Sequence, residues 1–457
     1  MIDVRQPVAQ RAIQHTRWLS GLLCLWATCG LVQAAGPLAI QGAKIITISG
    51  DTIESGTILI RDGKIEAVGT DVKIPGEAKV IDAKGKVVMP GFVDAHNSAA
   101  MSQANERTEV VPFLSVVDSI DPVADYFEEC RRNGITAAAV VPGNSTLIGG
   151  QAAVLKTAGQ YVNDMLLVRE AGLKLSLRPT SGSRMSQMAR LRKELDKAKE
   201  AIKKAGKEEK EKPKDDAPEA KPEGKPEEAP QESNGEGAEN GNGNANTASN
   251  AAAEEVGLKA LMKAVQGESP VYIYCENGMD VVAAIKLVED YHLKPIYVLG
   301  QNCYKAVEIL SGQRKTVILD PTLVYWETNP RTREDKQIVL PQIYRDAGVP
   351  YIFQTDDSGS RRTLGSSYFW YQAAMAVRYG MSEADALKAI TLDPAKLVGI
   401  DHLVGSIEVG KDADLLILTG GPFDIGTWVE HTLVDGEVVY SRAEDEKLQR
   451  LLAPTAE

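Results

Sequence analysis

Apolar positions along the chain follow two spacings in turn. From residue 38 to 88, short apolar runs are broken by tight polar turns. Ile58-Leu59-Ile60-Arg61-Asp62-Gly63-Lys64-Ile65 reads as a β-hairpin, because Asp-Gly accepts the positive φ that a two-residue turn needs. Thr432-Leu433-Val434-Asp435-Gly436-Glu437-Val438-Val439 repeats the pattern near the other end. Between them, compact apolar runs predict strands near 87–93, 136–141, 151–156, 172–177, 270–275, 295–299, 315–319 and 350–354. Helical spacing falls near 121–133, 185–208, 278–291, 302–311, 366–379 and 382–391; Met185, Met188, Leu191, Leu195, Ala198 and Ile202, for example, share one face. Eight strands alternating with helices predict an α/β chain closed as a (β/α)8 barrel of the TIM type. The terminal strands, 37–88 plus 405–445, are expected to form a small composite β-sandwich beside a barrel spanning 89–404.

One internal stretch breaks both spacings. Residues 205–254 pass from Lys/Glu/Pro repeats to Asn, Gly and Ala and offer no apolar face. Such a composition cannot bury enough surface to order itself, so a helix fraying into a disordered insert is expected there.

Composition sets the compartment and excludes some partners. With 457 residues and 43% hydrophobic content, the chain can build a large core and an accessory domain. A net charge of −12 argues against nucleic acid and against anionic membrane surfaces. Arg5, Arg11 and Arg17 precede the apolar run Leu19 to Val32, and Val32-Gln33-Ala34 fits a small-residue cleavage site. Residues 1–34 therefore read as a signal peptide of a protein exported to the periplasm, with no membrane span once the leader is removed. Cys24 and Cys29 leave with that leader. Cys130, Cys275 and Cys303 do not make a disulfide framework.

The chemistry starts at Pro90-Gly91-Phe92-Val93-Asp94-Ala95-His96-Asn97-Ser98. Apolar residues run into Asp-Ala-His and stop. This resembles the first-strand signature of the amidohydrolase superfamily, where Asp-x-His-x-His ends a buried strand and both histidines bind one divalent metal. Gly405-Ser406-Ile407-Glu408-Val409-Gly410-Lys411-Asp412-Ala413-Asp414-Leu415 resembles the family's C-terminal signature. Val140-Val141-Pro142-Gly143-Asn144 and the run Ile148 to Thr157 are similar to the branch of imidazolonepropionase and dihydroorotase. The resemblance implies a metal-dependent hydrolase of C–N bonds other than peptide bonds.

Here the second histidine position is Ser98, and a hydroxyl is a poor zinc ligand beside imidazole. The chain has five histidines, at 15, 96, 292, 402 and 431, and only His96 ends a candidate barrel strand. The fifth strand, Pro270 to Asn277, contains no histidine, so Tyr274 stands where relatives carry one; the sixth ends at Leu299. On the eighth, Phe353-Gln354-Thr355-Asp356-Asp357 keeps an aspartate. The resemblance makes Asp356 the residue that would take a proton from attacking water, with Asp357 as a substitute. His96, Asp356 and Glu276, with Cys275 as another candidate, are the remaining metal ligands; one imidazole and two carboxylates would hold zinc or manganese weakly, or no cofactor at all. Tyr274, Asn97 and Arg361, with Arg362 beside it, are candidates for contacting a small-molecule ligand. A carbamylated lysine bridges metals in some relatives, and Lys174 and Lys156 are the candidates, although an ordinary lysine is the commoner reading at both positions. The leading expectation is thus an amidohydrolase-like barrel with its metal ligands largely lost, acting as a ligand-binding protein or as an oligomeric partner of an active paralogue. The alternatives are an active mononuclear enzyme with a rebuilt ligand set and an exported structural protein.

Overall fold

Two Asp-Gly turns organise one end of the molecule. In the computed structural model, which describes residues 36–180, 182–211, 244–356 and 365–452, Asp62 and Gly63 have φ of 50° and 77°, and Asp435 and Gly436 have 50° and 73°. This is the paired left-handed geometry of a two-residue hairpin. The first turn joins β2 to β3 and the second joins β17 to β18, in a strand set that runs β1–β5 (Leu38–Ile45, Ile53–Arg61, Lys64–Gly69, Lys79–Asp82, Val87–Pro90), β6–β10 (Phe92–Asn97, Ile135–Val140, Ile148–Lys156, Leu166–Ser176, Pro270–Asn277), β11–β15 (Lys294–Asn302, Val317–Ile318, Val324–Thr328, Asp335–Val339, Tyr351–Ile352) and β16–β18 (Leu415–Leu418, Val429–Val434, Glu437–Ser441). The two turns touch: a Cβ built on Gly63 would lie 3.0 Å from the Asp435 carbonyl oxygen.

Strands from both ends of the chain share one sheet of order β18-β17-β16-β5-β1-β2-β3, with β4 added beside β1. It closes over its own apolar cluster, which includes Ile40, Ile45, Ile58, Val88, Leu415 and Leu433. The expected strand at 87–93 is in fact two strands in two sheets. Val87–Pro90 pairs with β1 and β16, and Phe92–Asn97 pairs with β7. Gly91 is the corner, and no side chain fits there, because a Cβ would fall 2.1 Å from the Thr136 hydroxyl.

The second sheet has eight strands in the order β6-β7-β8-β9-β10-β11-β12-β15. Seven run in one direction. The expectation of eight parallel strands fails at β8, which is antiparallel to both β7 and β9. An apolar run marks a buried strand and carries no direction. The connection 141–147 is too short for a crossover helix, so it can only reverse the chain. The sheet's outer strands share no ladder among the described residues. Instead Thr355, just beyond β15, donates both its amide and its hydroxyl to the Asp94 carboxylate of β6.

Helices flank this sheet near the expected positions: Asp125–Arg132, Arg184–Glu211, Gly278–Tyr291, Val307–Ser311, Gly365–Arg378 and Glu383–Lys388. Gly278–Tyr291 packs on β10 and β11. Asn277 caps it at one end, and His292 terminates it at the other in the left-handed conformation (φ 55°). The expectation of disorder across 205–254 is corrected at both margins. Residues 205–211 complete one helix, and 244–254 begin the helix Asn244–Val265, which is anchored further on by buried Leu261 and Ala264. The rest of that stretch, 212–243, and the leader 1–34 lie outside the described residues.

Candidate functional site

The site is built where β6, β9, β10 and the segment after β15 meet. Side chains two apart on a strand share a face, and the Asp94-x-His96-x-Ser98 spacing uses this to project three polar groups together. All three are buried. Asp94 is held by Thr355 and by the amide of His96 at 3.1 Å. Burial, with Asp356 adding repulsion, still pushes its pKa up to about 7 despite those bonds.

His96 meets a lysine. The Lys174 amine on β9 lies 2.9 Å from His96 Nε2 and donates to Asn144 Oδ1 at 2.7 Å. Lys174 is fully buried, and its amine faces the Tyr274 ring at 5.7 Å from the centroid. Room for it comes from Gly149 on β8, where a Cβ would crowd Lys174 Cβ at 3.2 Å. Burial lowers the Lys174 pKa to about 7, only partly opposed by Asp356. Burial, and then the nearby lysine, hold His96 well below the usual histidine range, so the ring is neutral. When the lysine is an ammonium it donates into Nε2, which leaves the ring proton on Nδ1. Nδ1 faces Asp356 Oδ2 at 3.8 Å, and a hydrogen bond with the Gln354 side chain partly offsets the downward shift of the ring.

Asp356 closes the network. It accepts from the Ser98 hydroxyl at 2.6 Å and from Asn144 Nδ2 at 3.3 Å. Asn144 is in turn fixed by Ser176, whose hydroxyl donates to its carbonyl at 2.6 Å. One connected unit therefore runs from Lys174 through His96 and Asn144 to Asp356 and Ser98.

The structure brings some of the sequence candidates together and separates others. His96, Asp356 and Tyr274 are in the site. Glu276 is not held with them: its carboxylate pairs with Arg178 at 3.2 Å, and its side chain is 40% exposed. The β10–β11 register shifts between Cys275 and Asn277, so the alternation that places Tyr272 and Tyr274 inward is lost at Glu276. Cys275 is a buried thiol whose pKa burial raises well above its ordinary value. Asn97 is also turned away. It lies on the face opposite His96 and donates to the Ala139 carbonyl at 3.1 Å, fully buried. Leu299 is buried. Arg361, Arg362 and Asp357 lie outside the described residues. Lys156 is remote from His96 in its bonding, and serves a different cluster with Asp412 and Asp414. Asn144 and Thr355 were not singled out from the sequence, since a lone Asn or Thr at a strand end carries no spacing signal.

The donor set can be tested against a metal. A catalytic zinc takes three protein ligands and leaves one position open. One imidazole and the Asp356 carboxylate converge here, the Asp94 carboxylate is spent on Thr355 and the His96 amide, the Ser98 hydroxyl is spent on Asp356, and an amine occupies the Nε2 side of the ring. Among the described residues no three His, Cys, Asp or Glu side chains are grouped to hold a metal ion. No helix among them is long and apolar enough to cross a membrane.

A barrel with a terminal composite sheet and a polar cluster at its strand ends is the architecture of metal-dependent hydrolases of the amidohydrolase type. The chain belongs to the amidohydrolase family, whose family model matches residues 87–439. It is 22% identical over 403 residues to the amidohydrolase tasK of Hapsidospora irregularis, covering 83% of this chain and 39% of that protein. Over 67 residues it is 45% identical to a 5'-deoxyadenosine deaminase of Methanosarcina mazei, covering 14% of this chain and 15% of that one. The chain thus spans well under two thirds of the length of these curated relatives. The crystal structure of an amidohydrolase from Thermotoga maritima MSB8 shares the fold, with a TM-score of 0.71 at 24% identity, covering 89% of this chain and all of that one.

Proposed function

We propose that this protein is an amidohydrolase-family barrel that has given up metal-dependent hydrolysis of C–N bonds and holds a small molecule at the mouth of the barrel. The observation that carries this reading is the Lys174 amine 2.9 Å from His96 Nε2. A ring nitrogen has one lone pair, and an ammonium and a divalent cation cannot both use it. The lysine brings its own positive charge to the place where the family's chemistry needs one. These residues as they stand do not fit a catalytic zinc site, and among the described residues no other group near Asp356 would lower the pKa of water from ~15.7 toward 7. What they can do is bind: Lys174 offers charge and Tyr274 supplies an aromatic wall. Export to the periplasm and association with an active paralogue extend the same proposal on sequence grounds.

One observation favours the runner-up, a mononuclear metal enzyme. His96 Nδ1 faces Asp356 Oδ2 at 3.8 Å, an imidazole and a carboxylate side by side. Elemental analysis of the full chain separates the two. The proposal expects well under one equivalent of divalent metal, and a rise in affinity when histidine is restored in S98H/L299H. A stoichiometric metal that is lost together with a hydrolase activity in Asp356→Ala would overturn it.

A further inference from the structure

One cavity shares no lining residue with the His96 cluster. It opens where β17 and β18 meet the helices Asp125–Arg132, Gly365–Arg378 and Glu446–Leu452, and its volume is about 430 Å³. That is within the range of small-molecule sites, which run from roughly 300 to 1,000 Å³. Its walls are aromatic and aliphatic: Trp370, Trp428, Tyr440, Val429, Leu448 and Leu451. Trp428 is 53% exposed. An indole left half in water beside a ready cavity is a surface that gains by being covered.

The charges around the cavity leave one group to spare. Arg132 is bound by Asp445 at 2.7 Å and by Glu129 at 2.5 Å. Lys447 is bound by Glu128 and Glu129, each at 3.2 Å. Asp445 is held well below the usual carboxylate range by Arg132, so its charge is already matched. Arg442 is different. Its guanidinium lies over the Trp428 ring, 4.3 Å from the centroid, and no described carboxylate is within ion-pair distance of it. Stacking uses the face of a guanidinium and leaves its N–H edges, and it fixes the plane in which two parallel bonds to a carboxylate would form.

We propose that this cavity is a binding site for a planar aromatic carboxylate, with the ring against Trp370 and the edge of Trp428, whose face Arg442 covers, and the carboxylate on the edge of Arg442. The helix Glu446–Leu452 forms one rim. It is held in place through Asp445 and Lys447.

The test is a fluorescence and calorimetric titration of the full chain with 1-naphthoate, alongside 1-naphthamide as the uncharged match. Saturable binding of naphthoate with quenching of tryptophan emission is expected, and at least about tenfold weaker binding of the amide. Trp428→Ala and Arg442→Met should each weaken naphthoate by about tenfold or more, and Arg442→Met should erase the preference over the amide. Trp428 is exposed and Arg442 partly exposed, and unchanged thermal midpoints would show that the variants fold. Asp356→Ala should bind naphthoate as the parent does. Absence of binding, equal affinity for the amide, an unaffected Arg442→Met, or loss of binding in Asp356→Ala would each overturn the proposal.

Discussion

Two lysines on neighbouring strands are buried to nearly the same degree and are treated in opposite ways. Lys156 on β8 is 3% exposed and Lys174 on β9 is 0% exposed. The amine of Lys156 sits among Asp412 at 2.7 Å, Asp414 at 3.2 Å and Asp435, and Lys64 balances Asp412 from the other side at 2.6 Å. Burial works against its charge, but the three carboxylates outweigh it and raise the pKa above the ordinary lysine value. Lys174 has a neutral imidazole and an amide for neighbours, with Asp356 one residue removed, and burial wins. The difference separates two uses of a buried cation. The first binds the barrel to the terminal sheet, through the segment of the Gly-x-x-Ala-Asp-Leu signature. The second is held half-discharged at the barrel mouth, which costs stability and is tolerated where a site needs it.

The comparison breaks first at Lys156. Lys156→Met should cost about 3–5 kcal/mol, because Asp414 is left buried without its cation and Asp412 keeps only Lys64. Denaturant midpoints measure this, and a smaller loss than that of Lys174→Met would end the distinction. Next is Lys174 itself, read through pH. In the unfolded chain a lysine titrates near ~10.4, whereas in the folded protein Lys174 does so at about 7. Between these values the unfolded state binds more protons, so this lysine's contribution to stability rises with pH across the window and is least favourable below 7. Lys174→Met removes that dependence. The stability of the variant relative to the parent should be greatest below pH 7 and decline toward pH 10; a flat difference curve would refute the assignment.

Smaller effects sharpen the site. Ser98→Ala removes one of the two donors to the buried Asp356 carboxylate among the described residues and should cost about 1–3 kcal/mol by thermal unfolding. A neutral result would mean that Asn144 alone holds the aspartate. Smallest is Glu276→Ala. Its pair with Arg178 is nearly half in water, so the change should stay within about 0.5 kcal/mol and leave ligand binding at the barrel mouth intact. A large loss of binding would return Glu276 to the site.

Much of this was legible in the sequence, and the failures share a cause. Period and turn chemistry are local, so the two Asp-Gly hairpins, the helix Gly278–Tyr291 and the position of His96 at a strand end could be read directly. Direction and partnership are not local. Nothing in Ile148–Lys156 says that β8 runs backwards, and nothing in Gly172-Leu173-Lys174-Leu175 says that the amine will meet a histidine 78 positions earlier. Glu276 was misplaced for the same reason: alternation along β10 holds through Tyr274, and the register shift beyond it depends on β11. The split at Gly91 was hidden because one apolar run served two sheets.

The reversed strand has a consequence for how the chain reaches this structure. β7, β8 and β9 pair in succession through connections short enough to close without waiting for distant segments, whereas β9 and β10 are separated by the whole stretch from Ser176 to Pro270. Contacts between near neighbours in sequence carry little loop-closure entropy and form early. This three-stranded antiparallel unit should therefore gain amide protection first, and the loop bearing Asn144 with it, before the parallel strands add on. Pulse-labelled hydrogen exchange that found β10 and β11 protected ahead of β7–β9 would contradict that order.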